Sequence, residues 1–99
     1  MFITVPSQRD ARRIGQHLVD TRLAACVNAI PLITSWFRWK GKVQEAREVL
    51  LIVKTRARLF KTLEGAVKRL HRYSVPEIIA LPIVKGSNAY LAWVRDETL

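Results

Sequence analysis

The sequence predicts a single α+β domain, residues 1–99, in which a four-stranded sheet carries two long helices on one face. The first observation is the order of the apolar patterns, β-α-β-β-α-β followed by a short helix. The second is a pair of long strand-favouring runs that meet at Lys40–Gly41. The third is a hydrophobic content of 49%, which is enough for a buried core.

The first strand is the apolar segment Met1–Val5, and Pro6 ends it. Ser7 is placed to cap the following helix, and Asp10, three residues further on, completes a variant of the capping box. This helix is expected to extend to about Thr21. Its predicted buried stripe consists of four apolar residues at helical spacing: Ala11, Ile14, Leu18 and Val19.

A long β-hairpin follows, with Leu23–Trp39 as its first strand and Val43–Thr55 as its second. Gly41 supplies the positive φ that a two-residue hairpin turn needs. Pro31 lacks an amide donor, so it is expected at a sheet edge or a bulge, where the strand kinks. The segments Val27–Trp39 and Val43–Thr55 would each be about 40 Å long, whereas a compact domain of this size is about 30 to 35 Å across. The tip is therefore predicted to project.

The projecting part of the hairpin carries three large aromatic side chains: Trp36, Phe37 and Trp39. Such side chains are not expected to face water together, so another copy of the chain is predicted to cover them. The tip, Trp36–Lys42, is thus interpreted as an assembly device. The root, with Ala29, Ile30 and Val49–Val53, is predicted to belong to the core.

The second half of the chain predicts a helix over about Ala57–His71, then a last strand, Glu77–Val84, which Pro82 marks as bulged or edge-placed. Ser87 or Asn88 caps a short final helix. The buried stripe predicted for the second helix has helical spacing: Leu59, Leu63, Ala66, Val67 and Leu70.

This order of elements is the split β-α-β, ferredoxin-like pattern. The first strand and the start of the hairpin are expected to be parallel neighbours joined by a right-handed crossover. Since both long helices cover one face, the other face is expected to be bare and to show apolar hairpin residues. Self-association through sheets is therefore predicted.

The net charge of +9 favours anionic partners in principle. The basic residues are spread between apolar positions of the helices, which is typical of solvated helix faces. No stripe of exposed aromatic residues accompanies them, so the sequence does not favour nucleic acid as a partner.

The single cysteine, Cys26, excludes an internal disulfide and favours a reducing, cytoplasmic location. No signal peptide is recognised at the start of the sequence. The longest uncharged run, Leu23–Phe37, is too short and interrupted for membrane insertion.

The sequence predicts no enzyme, because it contains no GxGxxG, P-loop or Ser-His-Asp pattern. The segment Pro6–Asp10 also lacks the glycines of an acylphosphatase-type anion cradle. Two interpretations of His71 remain open. It is either a cation that stabilises the C-terminal end of the second helix through the helix dipole, or a metal ligand together with Tyr73 and Glu77. Lys54, Glu48 and Glu77 either line a cleft or pair with one another.

Several blocks of the sequence resemble the CutA divalent-cation tolerance family, in order and along nearly the whole chain. They are LAACVN (Leu23–Asn28), ITS (Ile33–Ser35), WKGK (Trp39–Lys42), EVLLIVKT (Glu48–Thr55), VPEI (Val75–Ile78), LPI (Leu81–Ile83) and YLAW (Tyr90–Trp93). The resemblance implies a homotrimer built by sheet packing and extended hairpins. It also implies a non-catalytic role in tolerance of copper and other divalent cations.

The resemblance further implies candidate site residues. The family has His-Pro-Tyr where this chain has His71-Arg72-Tyr73, and Leu70 and Ile3 stand where some members have a second histidine and a cysteine. His71 is therefore the metal candidate, with Cu²⁺ as a weakly bound ion and no cofactor required.

The implied trimer is similar to the PII signalling proteins, which bind small ligands in clefts between subunits. The alternative function is a small-ligand sensor whose intersubunit cleft is formed by four residues: Trp39, Lys54, Tyr73 and Glu77.

Overall fold

The computed structural model describes all residues from Met1 to Leu99. Its elements, in chain order, are β1 (Phe2–Val5), α1 (Gln8–Asp20), β2 (Cys26–Trp39), β3 (Lys42–Lys54), α2 (Phe60–Leu70), β4 (Ile78–Ile79) and α3 (Asn88–Glu97). A short 3-10 turn, Ala57–Leu59, leads into α2. The α+β, ferredoxin-like architecture with a long hairpin is confirmed. No helix has the length and the apolar content that crossing a membrane requires.

The strand order in the sheet is β2-β3-β1-β4, and all neighbouring strands are antiparallel. The prediction that β1 and β2 are parallel neighbours is wrong, because β3 lies between them. The hairpin turn keeps β3 beside β2, and β3 in turn pairs with β1 from Val5–Val49 to Phe2–Ile52. The crossover through α1 therefore skips one strand position.

The hairpin has the predicted turn and bulge. Trp39 pairs with Lys42, and the two turn residues both have positive φ, 50° at Lys40 and 76° at Gly41. The register shifts between Ile30 and Ile33, so β2 carries an extra residue where Pro31 lies, and Leu32 has a φ of 61°. The molecule measures 44 × 26 × 22 Å, which agrees with a projecting hairpin.

The core lies between the helices and one face of the sheet. Its largest fully buried side chains come from both layers: Ile3, Val5, Ile14, Leu18, Leu51, Leu63 and Val67. Ser7 caps α1 by accepting a hydrogen bond from the Asp10 amide, as predicted. Val19 was expected in the core but is 41% exposed. The buried side of α1 is filled by Ala11, Ile14, Gly15 and Leu18, which leaves Val19 at its margin.

Three further expectations about burial and strand length are wrong. Ala29 is exposed, and Ile30 is exposed on the sheet face opposite the helices, so this part of the root is not core. The last strand is confined to Ile78–Ile79, because β1 pairs Ile3 with Ile78 and Phe2 with Ile79 and begins there. Residues 80–87, including Pro82, continue as an exposed segment without strand pairing.

Candidate functional site

His71 directly follows α2, and both of its ring nitrogens are hydrogen-bonded. Nε2 lies 2.7 Å from the carbonyl oxygen of Thr4 in β1, and Nδ1 accepts from the Tyr73 amide at 3.1 Å. These partners place the single proton of a neutral ring on Nε2. The Tyr73 ring lies 4.9 Å from the imidazole, centroid to centroid. The imidazole therefore offers no free lone pair in this arrangement.

Tyr73 is also anchored to β3. Its hydroxyl donates to the Glu48 carboxylate at 2.9 Å, and Glu48 is one of the few buried charged residues. Burial, followed by the hydrogen bond and the negative charge of Glu48, raises the pKa of Tyr73 to about 12. The phenol therefore remains a hydrogen-bond donor over the whole neutral range.

The residue between them, Arg72, binds a buried acid on α1. Its guanidinium donates to Asp10, with Nη2 at 2.6 Å from Oδ2 and Nε at 3.1 Å from Oδ1. Ser7 donates its hydroxyl to the same carboxylate at 2.6 Å. The Arg72 hydrogen bond, opposed by burial, holds the pKa of Asp10 below its ordinary value. Asp10 was predicted only as part of a helix cap, and no local signal pointed to Arg72.

Lys54 lies at the other end of β3, opposite Cys26 of β2. Its ammonium donates to the Asn28 side chain and lies 4.0 Å from the Cys26 sulfur. Six residues of extended chain separate Lys54 from Glu48, a distance of about 20 Å. Within one chain Lys54 and Glu48 therefore have different partners, Asn28 and Tyr73. Glu77 is exposed beside β4.

Trp39 lies next to the hairpin turn, at the far end of β3 from Lys54. The length of that strand, 13 residues, separates the two side chains by about 40 Å. One chain thus brings His71, Tyr73 and Glu48 together but holds Trp39 and Lys54 apart. A cleft that contains Trp39 and Lys54 together requires more than one copy.

The three aromatic side chains of the tip are exposed in the single chain, Trp36 at 68% and Phe37 and Trp39 at 40%. The Trp36 indole donates to Glu45 at 2.6 Å across the hairpin. On the sheet face opposite the helices, Leu50 and Ile52 are half-buried and Ile79 is exposed. These surfaces form an apolar area that no element of the chain covers.

The chain contains no group of three or more His, Cys, Asp or Glu side chains that converge as metal ligands. A divalent ion usually needs several such ligands at once. The donor set of one chain therefore fits a tightly held metal poorly.

Comparison with known proteins shows one family. The sequence profile of the CutA1 divalent ion tolerance protein family matches residues 1–97. The chain is 53% identical over 98 residues to the divalent-cation tolerance protein CutA of Thermus thermophilus, covering 99% of this chain and 95% of that protein. It is 47% identical over 97 residues to the human protein CutA, and this match covers 98% of this chain and 54% of the human protein.

The solved structures agree with this relationship. The Thermus thermophilus CutA1 structure has a TM-score of 0.96 at 54% identity and covers 98% of this chain and 94% of that chain. CutA1 from Oryza sativa has a TM-score of 0.96 at 45% identity, covering 99% and 90% of the two chains. On these matches, which extend over the whole chain and its hairpin, the protein belongs to the CutA1 divalent ion tolerance protein family.

Proposed function

We propose that this protein is a cytoplasmic homotrimer that acts without catalysis in tolerance of divalent metal ions, with copper as the principal ion. Family membership supports the tolerance role, and that family is one of tolerance proteins rather than enzymes. The observation that carries the assembly is the projecting hairpin with its exposed aromatic residues. The single cysteine supports a reducing location.

Two unpaired backbone edges support self-association. β2 is an edge strand of the sheet, so its outer amide and carbonyl groups have no strand partner. The exposed segment after β4 is apolar, with Leu81 at 62%, Ile83 at 55% and Val84 at 86% exposure. An extended apolar segment of one copy can add to the free edge of another, which satisfies both backbones. Such pairing together with the bare sheet face would bury the surfaces that one chain leaves open.

His71 is the proposed copper ligand. A metal at its Nδ1 or Nε2 must displace the Tyr73 amide or the Thr4 carbonyl. That competition reduces the affinity, so we expect weak binding unless a neighbouring copy supplies further ligands.

Isothermal titration of Cu²⁺ into the trimer tests this role. His71→Ala is expected to lose a binding event that wild type shows, and His17→Ala, on the surface of α1, serves as the control. Equal and weak binding in all three proteins would contradict the copper role of His71. A changed response of His17→Ala alone would assign the metal to α1 instead.

The second candidate function is a small-ligand sensor of the PII-like kind. The observation that favours it is the anchored Tyr73–Glu48 pair, in a chain that holds Trp39 and Lys54 about 40 Å apart, so that only different copies can combine them. The proposed cleft combines Trp39, Lys54, Tyr73 and Glu77 from different subunits. A thermal-shift screen of nucleotides and anions at low salt tests it, with Lys54→Gln as the control. No stabilising ligand, or equal stabilisation of Lys54→Gln, would count against this cleft.

A further inference from the structure

Three arginines of α1 converge on one open groove of the outer helical surface. Arg9, Arg12 and Arg13 line this groove, whose volume is about 490 Å³, and Leu70 at the end of α2 closes one side. We call it the arginine groove. Its only acidic residue is Asp20, which lies about 12 Å along the helix from Arg12. In sequence these arginines are interspersed with other residues, and for that reason nucleic acid was not expected as a partner, but the helix places them on one side.

The positions of these arginines on α1 are electrostatically unfavourable for the folded chain. Arg9 lies three and four residues from Arg12 and Arg13, spacings at which like charges on a helix repel. Arg9 also lies in the first turn of α1, where the helix dipole favours negative charge. The side chains of Arg9 and Arg12 form no hydrogen bond or ion pair within the chain, unlike that of Arg13. A bound anion would relieve both the repulsion and the unfavourable position.

The positive charge of the third arginine, Arg13, is only partly neutralised within the chain. Arg13 donates to the Leu70 carbonyl and lies 3.7 Å from Asp10. The Asp10 carboxylate is already occupied by the closer Arg72, at 2.6 Å. The positive charge of the groove is therefore not neutralised by the chain itself.

We propose that the arginine groove binds the phosphate backbone of a nucleic-acid duplex without reading its sequence. A duplex backbone carries closely spaced phosphates, so it can meet several of these clustered guanidinium groups at once. No Phe, Tyr or Trp side chain lines the groove and His17 is its single ring, so it lacks the row of stacking platforms on which successive bases of a single strand lie. The apolar side of α1 is buried in the core, so the helix does not present the surface that inserts into a lipid layer.

The groove remains accessible in the proposed assembly. α1 packs its buried side against the sheet, and the surfaces proposed for self-association are the opposite sheet face and the hairpin. The two proposals can therefore be tested independently, because one concerns the helix side and the other the sheet side.

Fluorescence anisotropy with a labelled DNA or RNA duplex, between about 50 and 200 mM salt, tests the proposal. Arg9→Gln/Arg12→Gln/Arg13→Gln is expected to weaken binding at least tenfold at the lowest salt. The slope of log affinity against log salt should fall by up to about 2.7, at about 0.9 for each lost phosphate contact. The control Lys61→Gln/Lys68→Gln/Arg69→Gln removes the same charge from the exposed side of α2, outside the surfaces proposed for self-association, and should retain the slope.

A second variant shows whether a loss of binding results from misfolding. Arg9→Gln/Arg12→Gln removes no intramolecular hydrogen bond or ion pair, should melt at or above the wild-type temperature, and should still lower the slope by up to about 1.8. The proposal is overturned if wild type binds no duplex at low salt, or if the groove variants and the control lose affinity equally. Binding to phosphatidylserine vesicles without binding to the duplex would overturn it in favour of a lipid surface.

Discussion

Arg72 and Asp10, 62 residues apart in sequence, form a two-pronged ion pair that joins the segment after α2 to the first turn of α1. Asp10 is buried, with 6% of its surface exposed, and also binds the hydroxyl of Ser7. His71 and Tyr73 flank Arg72 and contact Thr4 and Glu48 of the sheet. Three consecutive side chains thus fix this segment to one helix and two strands.

The ion pair makes stability depend on acid pH. Since the folded-state pKa of Asp10 lies below its ordinary value of 3.8, its contribution is complete above that pH and is lost as pH falls through the lower pKa. We expect Asp10→Asn to unfold more easily than wild type at neutral pH, with a difference that shrinks in acid. Urea unfolding at several pH values measures this. A difference that is constant with pH would contradict it, and Asp20→Asn is the control.

Tyr73 makes a corresponding prediction at high pH. Its folded-state pKa is raised from 10.0 to about 12, so the neutral phenol is favoured by folding. The stability that it contributes is present below pH 10 and is lost as pH rises through the folded-state value. The free energy of unfolding of Tyr73→Phe should therefore not show this fall between pH 10 and about 12. At neutral pH the variant should be less stable than wild type by about 1 to 3 kcal/mol, because Glu48 loses its hydrogen-bond donor.

Thermal unfolding across that pH range checks the Tyr73 prediction. Tyr90→Phe is the comparison variant, because burial also raises the pKa of Tyr90, the only other tyrosine, and this variant should keep the loss that Tyr73 contributes. If wild type and Tyr73→Phe respond to high pH in the same way, the Tyr73–Glu48 hydrogen bond does not carry the effect.

At the hairpin turn, adding a single methyl group to Gly41 is expected to lower the stability of the fold. Gly41→Ala places a side chain at a φ of 76°, which should destabilise the chain by about 1 to 2 kcal/mol. Gly65→Ala is the matched control, because Gly65 lies within α2 and its added Cβ meets only the Arg69 side chain, at 3.6 Å. That variant should gain up to about 1 kcal/mol. Denaturant unfolding of both distinguishes them, and equal stabilities would show that the turn is not strained.

The aromatic tip predicts the assembly state. Trp39→Asp should produce species smaller than a trimer, because a charge replaces an apolar side chain proposed to be buried between copies. Light scattering at several protein concentrations measures the mass. Val19→Asp is the control, since Val19 is as exposed as Trp39, at 41% and 40%, but lies on α1. An unchanged trimer mass for Trp39→Asp would show that the tip does not hold the assembly.

Local chemistry made several features predictable from sequence. The Ser7 cap, the Lys40–Gly41 turn and the bulge at Pro31 each depend on a few adjacent residues. The periodicity of Ile14 and Leu18 identified the buried side of α1, because helix spacing places them together. Val19, one position further, shows the limit of that rule, since periodicity does not define the width of the buried side.

The candidate site was predicted only in part. His71 and Tyr73 were recognised in sequence, but their partners Thr4 and Glu48 come from two different strands. Asp10, the partner of Arg72, lies on α1 near the other end of the chain. No spacing rule connects residues so far apart.

The sequence by itself therefore determined the element order, the helix cap, the hairpin turn and the length of the hairpin, all of which follow from short-range backbone and side-chain preferences. Long-range packing determined that β3 rather than β2 lies beside β1, that β4 stops at Ile79, and that both nitrogens of His71 are engaged. These features depend on which strands and side chains meet after the chain folds. A strand pairs only as far as its neighbour extends, and a side chain binds whatever donor or acceptor the fold places beside it.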